Sequence, residues 1–144
     1  MNWIIASIVT MLLWGGYAIF GEQATRVHGE KVSFLFELLG MAIIAVVVFA
    51  VFGGADDFKK ITSASLTNAV IMGLMTSLGA FTLLYALRIV PSANQVPVVV
   101  IIAGFYPVVT AILSYLFLGS RLSLVQWAGI VLAGVALVLV NWAK

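Results

Sequence analysis

One acid stands inside one of the most apolar runs of the chain. In "VSFLFELLGMAII", from Val32 to Ile44, Glu37 is the charged residue among side chains that hydrocarbon accepts. A charged acid at the centre of a membrane span costs ~2.5–3.5 kcal/mol, and less toward the interface. Glu37 lies six residues beyond Lys31, so ~9 Å into a helix that rises 1.5 Å per residue. That is neither the bilayer centre nor the headgroup layer. Two readings follow. Glu37 is a partly hydrated carboxylate, protonated some of the time or paired with a loop cation, or it is a cation or proton site within the membrane. No second carboxylate falls in an apolar stretch, so within one chain Glu37 acts alone.

Other groups with chemical potential sit on helical faces. Trp3, Ser7, Thr10, Trp14, Tyr17 and Gly21 recur at spacings of four and three, which places them on one face of a helix. Such a polar and aromatic stripe suits a bundle interior or cavity, although Trp3 and Tyr17 also fit interfacial anchors. "VPSANQVPVVVIIAGFYPVV" carries Pro91, Pro97 and Pro107. A proline in a helix frees the carbonyl one turn earlier, and transporters use interrupted helices to present such groups to substrate. An ordinary kink at Pro107 and a loop at Pro91 is the simpler account. Tyr85 and Tyr106 add two hydroxyls. The expected substrate-contacting residues are Trp14, Tyr17, Glu37, Tyr85, Tyr106 and Pro107, with no catalytic residues, metal or cofactor.

The elements that must position these residues follow from the solvent. Of 144 residues, 64% are hydrophobic and 8% charged, with mean hydropathy +1.23. A soluble domain has about a quarter of its residues charged, so lipid must solvate this chain. The length fits one domain. Seven Lys and Arg scattered over connectors are too sparse for a nucleic-acid footprint. There is no Cys, and the single His28 falls in an expected loop. That leaves no thiolate site, disulfide or His-based metal cluster.

Charges divide the chain into uncharged stretches at Met1–Gly21, Leu38–Ala55, Ile61–Leu87, Ile89–Ser120 and Leu122–Ala143. A bilayer core needs ~20 apolar residues per helix, and backbone groups in lipid must be satisfied within the segment. The expected fold is therefore an all-α integral membrane protein of five transmembrane helices, near 2–20, 32–53, 65–88, 95–118 and 122–142. The connectors "GEQATRVHGEK", "GGADDFKKITSAS", "RIVPSANQ" and "GSRLS" read as short polar loops, with Ser63 or Ser65 as N-cap of the third helix. Gly73, Ser77 and Ala80, and again Gly129, Ala133 and Ala136, form small-residue stripes suited to helix contacts. No Lys or Arg precedes Arg26, so the first stretch is not expected to be a cleaved signal.

The runs "LLWGGYAIF", "LLYALRIVPSANQVPVVV", "FYPVVTAILSYLFLGSRLS" and "QWAGIVLAGVALVLV" together resemble the EamA-type domain of the drug/metabolite transporter superfamily. The matching elements are Trp14–Gly15, Tyr85–Leu87, Pro91–Ala93, Pro107 and the run from Leu118. Ser120 stands where the family has an acid, and Glu37 where it commonly has a basic residue. The small multidrug transporters are also similar, but their first-span acid has no counterpart in "TMLLWGGYAIF".

The resemblance implies a single-repeat transporter domain over 1–144 that exports a small metabolite by alternating access, without enzymatic activity. It is read as multi-pass in a bacterial-type inner (plasma) membrane. Glu37 favours a cationic or zwitterionic substrate. The rivals are a lipid-carrier flippase subunit and a non-transporting accessory subunit. Expected partners are the small molecule, membrane lipid and a second copy in an antiparallel homodimer, or else a sister subunit. The charge balance permits both orientations. Lys59, Lys60 and Arg121 lie on one side, and Arg26, Lys31, Arg88 and Lys144 on the other. Orientation follows Lys and Arg in short loops, and three against four is no clear instruction.

Overall fold

The first helix starts where Asn2 Oδ1 accepts the Ile4 N–H at 3.1 Å, satisfying one of the free donors of a helix start. From there the computed structural model, which describes residues 2–142 except the side chains of 55, 57 and 141, is helical nearly throughout. Met1, Ala143 and Lys144, which close the outer stretches and complete the charge balance, lie outside the described residues. The elements are α1 (Trp3–Phe52), α2 (Ala55–Phe58), α3 (Ser63–Ile89), a 3-10 turn (Ala93–Gln95), α4 (Val96–Ala103), α5 (Tyr106–Leu118) and α6 (Leu124–Trp142). No strand occurs among the described residues.

Three helical stretches are long and apolar enough to cross a membrane: Trp3–Phe52, Ser63–Ile89 and Ala93–Leu118. Leu124–Val140 is a shorter apolar helix. Counting that shorter helix, the described residues show four apolar helical stretches rather than the expected five. The difference lies in "GEQATRVHGEK", which is helical and not a loop. Its charges suit a helix, because Glu22 and Arg26 pair at i,i+4, an arrangement that supports helical turns. His28 accordingly sits in helix.

Gly29 alone departs from helical geometry within α1, with φ 77° and ψ 163°. Only glycine takes that backbone conformation readily. The consequence is a reversal. Tyr17 and Glu37 would be roughly 30 Å apart along a straight helix, yet they are hydrogen-bonded at 3.0 Å. Thus α1 doubles back at Gly29 into two arms.

The chain forms two compact units, Met1–Ile89 and Val90–Lys144. In the first, both arms of α1 pack on α3. Ala18, Ala80, Leu84 and Leu87 are its buried apolar residues. Gly21 permits the close approach, since a Cβ there would come within 3.2 Å of Leu84 and 3.3 Å of Leu87. Phe34 meets Phe81 edge-on, with centroids 5.4 Å apart. Most other large apolar side chains are exposed, as hydrocarbon solvation allows.

The cap of α3 is Thr62, not Ser63 or Ser65. Thr62 Oγ1 accepts the Ser65 N–H at 3.2 Å, while Ser65 Oγ accepts the Thr62 N–H at 2.9 Å. This is a reciprocal capping box. Another opens α6, where Gln126 Oε1 accepts the Ser123 N–H at 2.7 Å and Ser123 Oγ the Gln126 N–H at 3.3 Å. "DDFKK" overlaps the single turn α2, and Lys59 Nζ donates to Asp56 Oδ1 at 2.6 Å in the open.

In the second unit, the expected kink at Pro107 is a complete interruption between Ala103 and Tyr106. Pro107 occupies the first turn of α5, where its missing N–H is tolerated. Tyr115 and Trp127 pack edge-on at 5.9 Å. Gly119, at φ 63°, ends α5 in the left-handed conformation. The small-residue stripes are only partly contacts. Ala80 is buried, whereas a Cβ at Gly73 or Gly129 would meet nothing within 4 Å.

Candidate functional site

The reversal at Gly29 brings the polar stripe of the first arm against the acid of the second. Between them lies an open groove of about 540 Å³, walled by residues of both arms together with Leu84 of α3. Tyr17, Ser33 and Glu37 are the hydroxyl and carboxylate groups on its wall, set among apolar side chains that include Leu12, Leu13, Phe20 and Phe36. Tyr17 and Glu37 are both half-buried, and Tyr17 Oη donates to Glu37 Oε2 at 3.0 Å.

Two of the connector cations are engaged elsewhere. Arg26 pairs with Glu22, and Arg88 with Glu30. Among the described residues Glu37 makes no ion pair, and Tyr17 is its hydrogen-bonding partner. Pairing with a loop cation is therefore not how this carboxylate is held. Its carboxyl lies on the groove wall, with Oε2 accepting a hydrogen bond from a phenol.

The Glu30–Arg88 pair ties the charged turn, outside the apolar segments, to the last turn of α3. Glu30 is buried and Arg88 is half-exposed. The Glu30 backbone N–H, then the Arg88 guanidinium, hold the Glu30 carboxyl below its ordinary range. The Gly29 backbone lies beneath that guanidinium, with a Cβ position 3.9 Å from it. The ion pair and the reversal are thus one local structure.

Of the expected contact residues, the structure brings Tyr17 and Glu37 together. Trp14 stacks obliquely on Tyr17, with centroids 5.8 Å apart, but is half-exposed and outside the groove wall. Tyr85 is exposed on α3, beside Leu84 in sequence. Tyr106 is exposed in the second unit, where Pro107 follows it at the start of α5. Ser7 and Thr10 hydroxyls return to the Trp3 and Ala6 carbonyls, so they are spent on their own helix.

Ser33 is a groove residue outside the expected set. It is buried, and its Oγ has no hydrogen-bond partner, an arrangement that typically costs about 1–3 kcal/mol. Its place four residues before Glu37 is a signal the sequence offers, since that spacing shares a helical face.

The family model of the EamA-like transporter family matches residues 1–142. The chain belongs to that family. No curated protein and no solved structure matches it. Members of the EamA-like family are membrane transporters rather than enzymes, and this EamA-like chain, with its long apolar helices, is an integral membrane protein.

Proposed function

We propose that this EamA-like chain is a small-metabolite exporter whose substrate is cationic or zwitterionic. The observation that carries the reading is the Glu37 carboxylate, half-buried in the groove with a phenol rather than a cation as partner. A carboxylate so placed gains a counter-charge when a cation arrives, which is how intramembrane acids recognise solutes. Tyr17 orients the carboxylate and Trp14 flanks Tyr17.

In this reading each arm of α1 crosses the membrane separately. The arms are roughly 39 and 35 Å long at 1.5 Å per residue, against a hydrocarbon core of ~30 Å. With α3, the interrupted stretch Ala93–Leu118 and α6, the chain has five crossings forming a single transport domain, 1–144, in a bacterial-type inner membrane. An odd number of crossings makes two oppositely inserted copies an inverted-repeat pair able to alternate access. The working unit is accordingly an antiparallel homodimer.

A thermal-shift screen of purified protein against cationic, zwitterionic and anionic metabolites tests this reading. Stabilisation confined to the first two classes supports it. Stabilisation by anions alone contradicts it.

A further inference from the structure

Several hydroxyls along these helices return to a carbonyl three or four residues earlier. Thr25 bonds the Gly21 carbonyl at 2.8 Å, Thr67 that of Ser63 at 2.9 Å and Thr76 that of Met72 at 2.9 Å. Ser33 does not. Its counterpart four residues back is Gly29, whose ψ of 163° turns the carbonyl away from the helical direction. The residue that reverses the chain thereby leaves the next-turn hydroxyl without its usual acceptor. Ser33 is 7% exposed, its Oγ is unpartnered, and it sits on the groove wall one turn from Glu37.

We propose that Ser33, Tyr17 and Glu37 form a site for a primary ammonium group, with Ser33 selecting hydrogen-bond-donating cations over fully methylated ones. This rests on the cation reading above and narrows it. A primary ammonium carries three N–H donors. Glu37 accepts one as a carboxylate. Tyr17 has committed its own O–H to Glu37 but keeps lone pairs on Oη, and Ser33 Oγ has its acceptor capacity unused. A trimethylammonium has the same charge and no N–H, so it satisfies Glu37 electrostatically and leaves Ser33 buried and unpaired. A site built to hydrogen-bond a polar group rejects analogues lacking it far more strongly than an apolar pocket rejects an extra methyl. The apolar body of the amine would lie against Phe20 and Phe36, which line the same groove.

The test is calorimetric titration of the purified full-length chain with 2-phenylethylammonium and with its N,N,N-trimethyl counterpart. The expected result is at least tenfold tighter binding of the primary ammonium by wild type. In Ser33→Ala the ratio should fall to about one while the trimethyl compound still binds, and Glu37→Gln should lose both. Ser33→Ala should fold at least as well as wild type, since it removes an unpaired hydroxyl; a thermal melt checks this. Equal binding of both cations by wild type, lost in Glu37→Gln, overturns the role of Ser33 and leaves the cation reading standing. An unchanged ratio in Ser33→Ala does the same. Binding of neither cation overturns the cation reading and this inference together.

Discussion

Tyr17 and Glu37 are twenty residues apart in the chain and share a hydrogen bond of 3.0 Å, Oη donating to Oε2. The bond crosses from one arm of α1 to the other, so it both closes the reversal and sets the carboxylate in the groove. Removing the phenol oxygen tests both effects. Tyr17→Phe should lower stability by about 0.6–2 kcal/mol, the range for hydrogen bonds between membrane helices. It should also weaken cation binding more than that loss of stability explains, because Glu37 loses its orienting donor. A melt in detergent beside a binding titration separates the two. Unaltered binding would make Tyr17 a packing residue.

Gly29 should resist substitution where other glycines do not. Its φ of 77° and ψ of 163° lie in a region essentially restricted to glycine, and forcing another residue there costs about 1–3 kcal/mol. Gly29→Ala should lower the melting temperature and the yield of folded protein. Gly15→Ala, in a helix with nothing within 4 Å of the new methyl, should be tolerated. Equal melting temperatures for the two variants would show that the reversal does not depend on Gly29.

What can be read from the sequence, and what cannot, follows the physics. Lipid demands long apolar runs, so α3 and α6 are visible as uncharged stretches of the sequence itself. Glu37 is visible for the same reason, as an exception to that demand, and Tyr17 as part of a polar stripe. Their pairing is not visible, because it depends on one backbone angle pair at Gly29. The helical connector is hidden by its polarity: Glu22, Arg26 and Glu30 read as loop residues, yet their charges are matched at i,i+4 or across to Arg88. Thr62 and Ser123 carry legible capping-box spacings, with Ser65 and Gln126 three residues on. Ser33 gains its meaning only from the Gly29 carbonyl being turned away.

The Glu30–Arg88 pair should make stability depend on pH in a defined direction. Glu30 is held below its ordinary value of 4.5 in the folded chain. A depressed carboxyl contributes stability above its unfolded pKa and loses it as pH falls through the lower folded value. Glu30→Gln and Arg88→Gln should therefore each melt earlier than wild type near neutral pH. The gap between wild type and Glu30→Gln should narrow as pH drops below 4.5. A gap that persists unchanged into acid would remove the ion pair from the account.

Dual insertion is testable because the chain has no native cysteine. Gln23 and Ser63 are exposed, and in a five-crossing chain they face opposite sides of the membrane. Single cysteines at these positions, labelled in intact cells with an impermeant thiol reagent, should each react partially. Complete labelling of one and none of the other would rule out the antiparallel homodimer.

The central claim is that Glu37 holds the charged group of the solute, and uptake into proteoliposomes tests it most directly. Wild type and Glu37→Gln, matched for reconstituted amount and oligomeric state, are compared for accumulation of radiolabelled 2-phenylethylammonium. Glutamine keeps the side-chain shape and removes the charge. Uptake by Glu37→Gln should be at least tenfold slower with folding intact; uptake equal to wild type would contradict this role of Glu37.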